Sequence, residues 1–330
     1  AAAKSAEVDE AGRPYLQGKE WKTMGGIGTT RKEGPLEKLF VKLYGNLPVE
    51  ERLRVAWLAG TLFFIIGGYW LLRSLKDPIV SAIVGVEYIP MCKITSLGVV
   101  FVLVFVYNKL IDLFPKHQLF YIIGGFYFVV FMCIALLLAD PVIGVENTDA
   151  DPARLLGWVS YCAIESFGSI CVSLFWAFVN STMNLETAKG AFGLIIAGAN
   201  LGSIMGPTIA TQAPVVGVPF LYAIGALCMG MMVVMVWGYV ARFGATQESS
   251  KSKKKGAGVL EGFTLFMKYD YIKGIFAMSC LFMVEVTILD YMMKSMAVSY
   301  FNGLYPEDHT LANQSFAAFT GLFGQVCACV

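Results

Sequence analysis

An all-α polytopic membrane protein is the fold class this sequence predicts, and three observations predict it. Of 330 residues, 57% are hydrophobic and only 15% charged, too few charges to clothe a water-exposed surface. The mean hydropathy is +0.64. Apolar runs of about 20 residues, enough to cross a bilayer, recur along the chain with short polar stretches between them.

Six complete runs come first, at 55–76, 89–106, 119–138, 155–179, 191–210 and 219–240. They make a first six-helix half at 55–240, preceded by a polar tail at 1–54. The basic linker "ARFGATQESSKSKKKGAG" fills 241–258, and 259–330 holds a seventh run at 271–293 and an eighth that begins near Leu311. The chain opens with Ala instead of Met, as a mature end left by removal of a targeting peptide would, and as a partial sequence would.

Orientation follows from Lys and Arg near the span ends. Lys38, Lys42, Arg52 and Arg54, then Lys109 and Lys116, Lys189, and the lysines of the linker all fall on one side. The 3–4 connection on the other side is acidic (Asp140, Glu146, Asp149, Asp151) and the 5–6 connection has no charge. The basic side is the cytosol or its equivalent.

Residues 1–35 have mixed charge and no apolar periodicity, so alone they are expected to be disordered. At 36–44, Leu36, Leu39, Phe40 and Leu43 recur at helical spacing around Lys38 and Lys42. That fits an amphipathic helix on the membrane surface, or equally a lead-in to the first span.

The composition excludes several function classes. A net charge of +1 gives no field for nucleic acid. The eight cysteines sit almost entirely in apolar runs, with no C-x-x-C pair and both histidines in loops, so neither a zinc site nor a disulfide framework is expected. No catalytic constellation or Gly-rich phosphate loop is present, so an enzyme is not expected, and no cofactor is implied.

What stands out is charge at membrane depth. A carboxylate at the centre of a membrane helix costs about 2.5–3.5 kcal/mol on insertion scales. Glu165 lies near the middle of the fourth run and Glu285 in the second half of the seventh. Each either balances a cation on a neighbouring helix or lines a pathway. Glu165, Ser169, Ser173, Trp176 and Asn180 share one helix face, which predicts a stripe facing a cavity, although the serines alone could simply bond back to their own helix. Gly198, Gly202 and Gly206 form overlapping G-x-x-x-G units for close helix packing, and Asn200 between them projects from another face. In "YWLLRSLKDPIV", residues 69–80, Arg73 and Lys76 are one turn apart and Asp77 is placed to pair with Arg73, leaving Lys76 as the spare cation. It could snorkel from a helix ending by Pro78, or hold a phosphate oxygen.

At these residues the chain resembles the ATP/ADP translocases of plastids and obligate intracellular bacteria. Four stretches carry the likeness: "LLRSLKDPIV", "AIESFGSICVSLFWAFVN", "ETAKGAFGLIIAGANLGSIMG" and "YIKGIFAMSCLFMVEVT". They occur in the family's order and spacing from about residue 55 onward. The resemblance implies a bundle similar to the major facilitator type, with a nucleotide site between two six-helix halves, of which this chain carries the first and the start of the second. It implies exchange of ATP for ADP, sometimes with phosphate, in a plastid membrane, envelope or thylakoid, with the basic side facing the stroma. Lys76, Glu165 and Glu285 fall on charged positions that the family needs. Arg73, Asn180 and Asn200 join them as substrate-binding candidates. The chain departs from the family at Leu75, at Pro78 and in "ILDYMMK", where Asp290 adds an anion and Lys294 is shifted, implying a weaker hold on phosphate.

Two rival readings remain. Seven and a half spans are fewer than a twelve-helix carrier needs, so the protein could instead be a structural or accessory subunit of a larger membrane assembly, such as a photosynthetic complex, that holds residues 1–50. An unrelated facilitator for another organic anion is the other.

Overall fold

The computed structural model describes residues 49–147, 149–183, 185–244, 264 and 266–329. The tail, its amphipathic segment, any partner of residues 1–48 and most of the basic linker lie outside the described residues. All described residues belong to one compact unit, Asn46–Val330.

The described residues are helical with no strand. In chain order they form α1 (Val49–Ile83), a 3-10 turn (Val86–Tyr88), α2 (Ile89–Leu113), α3 (Lys116–Leu138), α4 (Leu155–Thr182), α5 (Leu185–Ala210), a short α6 (Ala213–Val216), α7 (Val218–Phe243), α8 (Asp270–Leu304) and α9 (His309–Cys329). Seven of them are long and apolar enough to cross a membrane: α1 to α5, α7 and α8. This is a multi-pass membrane protein. The eighth apolar run does form α9, but it is not among those seven, because Asn313, Gln314, Ser315 and Gln325 dilute it.

The first span is longer than its apolar run at both ends. α1 starts six residues early and continues through Pro78 to Ile83, so the expectation that it ends by Pro78 is corrected. A proline inside a helix removes the N–H that would bond the carbonyl four residues back, here that of Ser74. The Thr320 hydroxyl of α9 supplies the missing donor, 2.6 Å from Ser74 O. Membrane helices tolerate proline when a neighbour satisfies the freed carbonyl.

α1 is the axis of the bundle, packing along α5, α7, α4 and α9. In lipid, helices associate through close van der Waals contact, and small residues permit it. The glycine stripe of α5 does this against α1. A methyl group on Gly198 or Gly202 would lie 2.6 Å from the carbonyl oxygens of Ala59 and Phe63. Gly321 and Gly324 likewise seat α9 against Pro207 of α5. The packing reading of the G-x-x-x-G units holds.

On the far side, opposite the basic linker, the 139–154 loop is fastened by its own polar groups. Asp140 Oδ1 accepts from the amides of Val142 (2.8 Å) and Ile143 (3.0 Å), which hold its carboxyl below the usual range. Arg154 donates to the carbonyls of Ile143 and Gly144, each at 2.7 Å.

Candidate substrate-binding site

Lys76 and Asp77 sit side by side in α1, and lipid would penalise both unless each found a partner. Lys76 is 4% exposed. Its ammonium is ion-paired with Glu165 of α4 and donates to the Tyr161 hydroxyl at 3.2 Å. The same nitrogen lies 4.3 Å from the Tyr161 ring centre, a cation–π distance. Lys76 therefore does not snorkel; it is turned into the bundle.

Asp77, 3% exposed, points another way. Its Oδ2 pairs with Lys294 of α8 at 2.8 Å. Lys294 also bonds Asp290 Oδ2 at 2.7 Å, and Lys93 of α2 reaches that oxygen at 3.0 Å. Three lysines and three carboxylates thus neutralise one another across α1, α2, α4 and α8. Burying charge is tolerable only with this kind of pairing. One atom is left over: Asp77 Oδ1 is buried with no hydrogen-bond partner.

The expected Arg73–Asp77 pair does not form. Asp77 faces Lys294 instead, and Arg73 donates to the Tyr69 hydroxyl at 2.8 Å, its guanidinium 5.2 Å from the Trp70 ring centre. The roles are reversed: Arg73 has no carboxylate partner among the described residues, and Lys76 has one. Arg73 is exposed. Tyr69, which anchors it, packs over Gly168 of α4, where no side chain would fit.

On α4, Glu165 is about one-quarter exposed at its side chain (26%), and Ser169, Ser173 and Asn180 are exposed along the same face. Cys171 and Phe178 are buried on the other side. Ser169 and Ser173 donate to the carbonyls one turn back, at 3.1 and 2.8 Å, so the bland reading accounts for both serines, and Glu165 is the residue of the stripe that pairs with another helix. Trp176 is half-buried, edge-on to Phe175 and Phe192. Asn200 is exposed on α5.

Glu285 is not brought to this cluster. It is exposed on α8 with no ion pair among the described residues. The nearest equivalents on that helix are Asp290 and Lys294, further toward its far-side end. Their i, i+4 spacing was visible in the sequence as a pair; that Lys93 and Asp77 would complete it was not.

Chemically, the cluster offers a lysine whose carboxylate partner is partly open to solvent. An oxyanion of similar charge can replace Glu165 on Lys76 without leaving the ammonium bare. Among the described residues no group of three or more His, Cys, Asp or Glu could hold a metal ion.

Residues 37–145 match the TLC ATP/ADP transporter family. The chain is 24% identical to ADP,ATP carrier protein 2, chloroplastic, of Arabidopsis thaliana over 96% of its own length and 57% of that protein's. It is 24% identical to ADP,ATP carrier protein 1, chloroplastic, of the same plant, covering 80% of this chain and 48% of the relative. It is 29% identical to ADP,ATP carrier protein 1 of Chlamydia pneumoniae over 52% of this chain and 38% of the relative. The chain spans about half the length of the curated relatives it matches. No solved structure matches it.

Proposed function

The chain is related to the ATP/ADP transporters of plastids and intracellular bacteria, and from that premise we propose that it carries the substrate-contacting first half of a nucleotide carrier in a plastid membrane. It works as a transporter and not as an enzyme, exchanging ATP for ADP. Lys76 binds phosphate oxygens, assisted by Arg73, the cation without a carboxylate. Glu165 holds Lys76 while the site is empty and gives it up to substrate. Asn180 and Asn200 offer amide groups to the same substrate from the open faces of α4 and α5. Glu285 joins Glu165 in competing for these cations while the site is empty.

The observation that carries this reading is the Lys76–Glu165 pair: buried at the lysine, part-open at the carboxylate, within the helices that binding near the midplane of a two-half carrier requires. The family relationship supports the substrate class.

The test uses the full-length protein in liposomes loaded with ADP and supplied with labelled ATP. Lys76→Ala is expected to lower uptake tenfold or more, the loss of about one charged hydrogen bond. Unchanged uptake would remove Lys76 from the site.

A further inference from the structure

Five polar side chains meet in one cavity without a partner among the described residues. The cavity, about 320 Å³, lies at the far side, where α1, the 3-10 turn, the 139–154 loop, α8 and α9 meet. Ser81, Glu87, Asn302, His309 and Asn313 line it, and none makes a side-chain hydrogen bond or ion pair to another described residue. The sixth polar lining residue, Asn147, is engaged with Val142 O at 2.7 Å. Phe301, Phe316 and Val298 supply apolar walls. Ser81 and Asn313 are half-buried, and Glu87, Asn302 and His309 are exposed at the cavity's mouth. Here they point into a space of ligand size, at the small end of the usual range of about 300–1,000 Å³.

Position and charge say what fits. Ser81 is one turn beyond Asp77 on α1, and Val298 one turn beyond Lys294 on α8, a rise of about 6 Å on each helix. The Asp77–Lys294 pair therefore lies about one turn deeper than the cavity's lining on both helices. No lysine or arginine lines the cavity, and Glu87 puts a carboxylate at its rim, so a phosphate is disfavoured there. A flat heterocycle with an exocyclic amino donor and ring-nitrogen acceptors is favoured: the carboxylate accepts from the amino group, the asparagine amides both donate and accept, and the phenylalanines offer apolar faces. One turn deeper the lysines begin.

We infer that this cavity is a nucleobase subsite, which holds a nucleotide arriving from the far side with its base outward and its phosphates toward Lys294 and Lys76. The inference rests on the nucleotide-carrier reading and assigns recognition of the base to Glu87, Asn302 and Asn313.

Two probes separate the ends of the ligand: adenosine carries a base and no phosphate, pyrophosphate the reverse. With the purified full-length protein, Glu87→Gln and Asn313→Ala are each expected to weaken adenosine binding about five- to tenfold and to leave pyrophosphate binding within about twofold. Lys76→Ala is expected to do the opposite. Retained pyrophosphate binding doubles as the check that a variant is folded, and Asn302→Ala, at an exposed position, repeats the test. Adenosine affinity unchanged in all three cavity variants overturns the subsite. If the wild type binds no pyrophosphate and exchanges no ATP, the carrier reading fails instead; adenosine binding that still depends on Glu87 and Asn313 then upholds the cavity as a nucleoside site.

Discussion

At the far-side end of the bundle, Lys93, Asp290, Lys294 and Asp77 tie α2, α8 and α1 together, and Thr320 of α9 closes on Ser74. In the linker-side half the picture is inverted: the apolar window of α8 is 0% buried, and α4 presents Ser169, Ser173 and Asn180 as exposed side chains. The difference teaches from which side the Lys76–Glu165 pair is open. Glu165 is the open member of its pair, and Ser169 and Ser173 succeed it toward the linker side. The Lys76–Glu165 pair is thus open along that stripe, while paired charges close the other end. A seal made of ion pairs can open without leaving bare charges, provided that anions replace the carboxylates.

That contrast can be broken from the sealed end first. Lys294→Ala would strand Asp77 and half-free Asp290, and losing one partner of a buried pair costs about 3–5 kcal/mol. Thermal unfolding of the detergent-solubilised protein should show the largest loss of the series; a loss no greater than that of a surface lysine would mean the ladder does not hold the far side. Gly202→Leu comes next. It pushes a side chain against the Phe63 carbonyl where α5 meets α1, an overpacking cost of about 1–3 kcal/mol, measurable in the same melt.

Thr320→Val keeps the shape and removes the donor to Ser74 O, so about 1 kcal/mol should be lost. In a Pro78→Ala background, where the helix supplies its own N–H, the same change should cost much less; equal costs would separate Thr320 from the proline. Smallest of all is Ser169→Ala. That hydroxyl only bonds back to its own helix, and its removal should stay within about 0.5 kcal/mol. Two hydroxyls of similar chemistry then differ because one bridges helices and the other does not.

The same contrast explains what could be read in advance. Spans follow from apolar runs, because lipid demands them of any sequence, and the runs marked the cores of seven helices. Their ends depend on tertiary partners. Pro78 looks like a terminator until Thr320, 246 residues from Ser74, caps the freed carbonyl. Lys76 and Glu165 were conspicuous because each alone is costly in a bilayer. Which charge meets which was not conspicuous: i, i+4 spacing suggested Arg73–Asp77, yet Lys294 wins Asp77 and aromatic rings hold Arg73. The cavity residues gave no signal, since Asn302, His309 and Asn313 look like ordinary loop and helix-end polarity until α8 and α9 fold over the end of α1.

The central claim is that carboxylate and substrate compete for one ammonium. ATP affinity and ATP/ADP exchange measured side by side on Glu165→Gln test it most directly. Competition predicts that the variant, freed of its internal anion, binds ATP more tightly than the wild type and exchanges it more slowly. Weaker binding, or tighter binding with undiminished exchange, would contradict it.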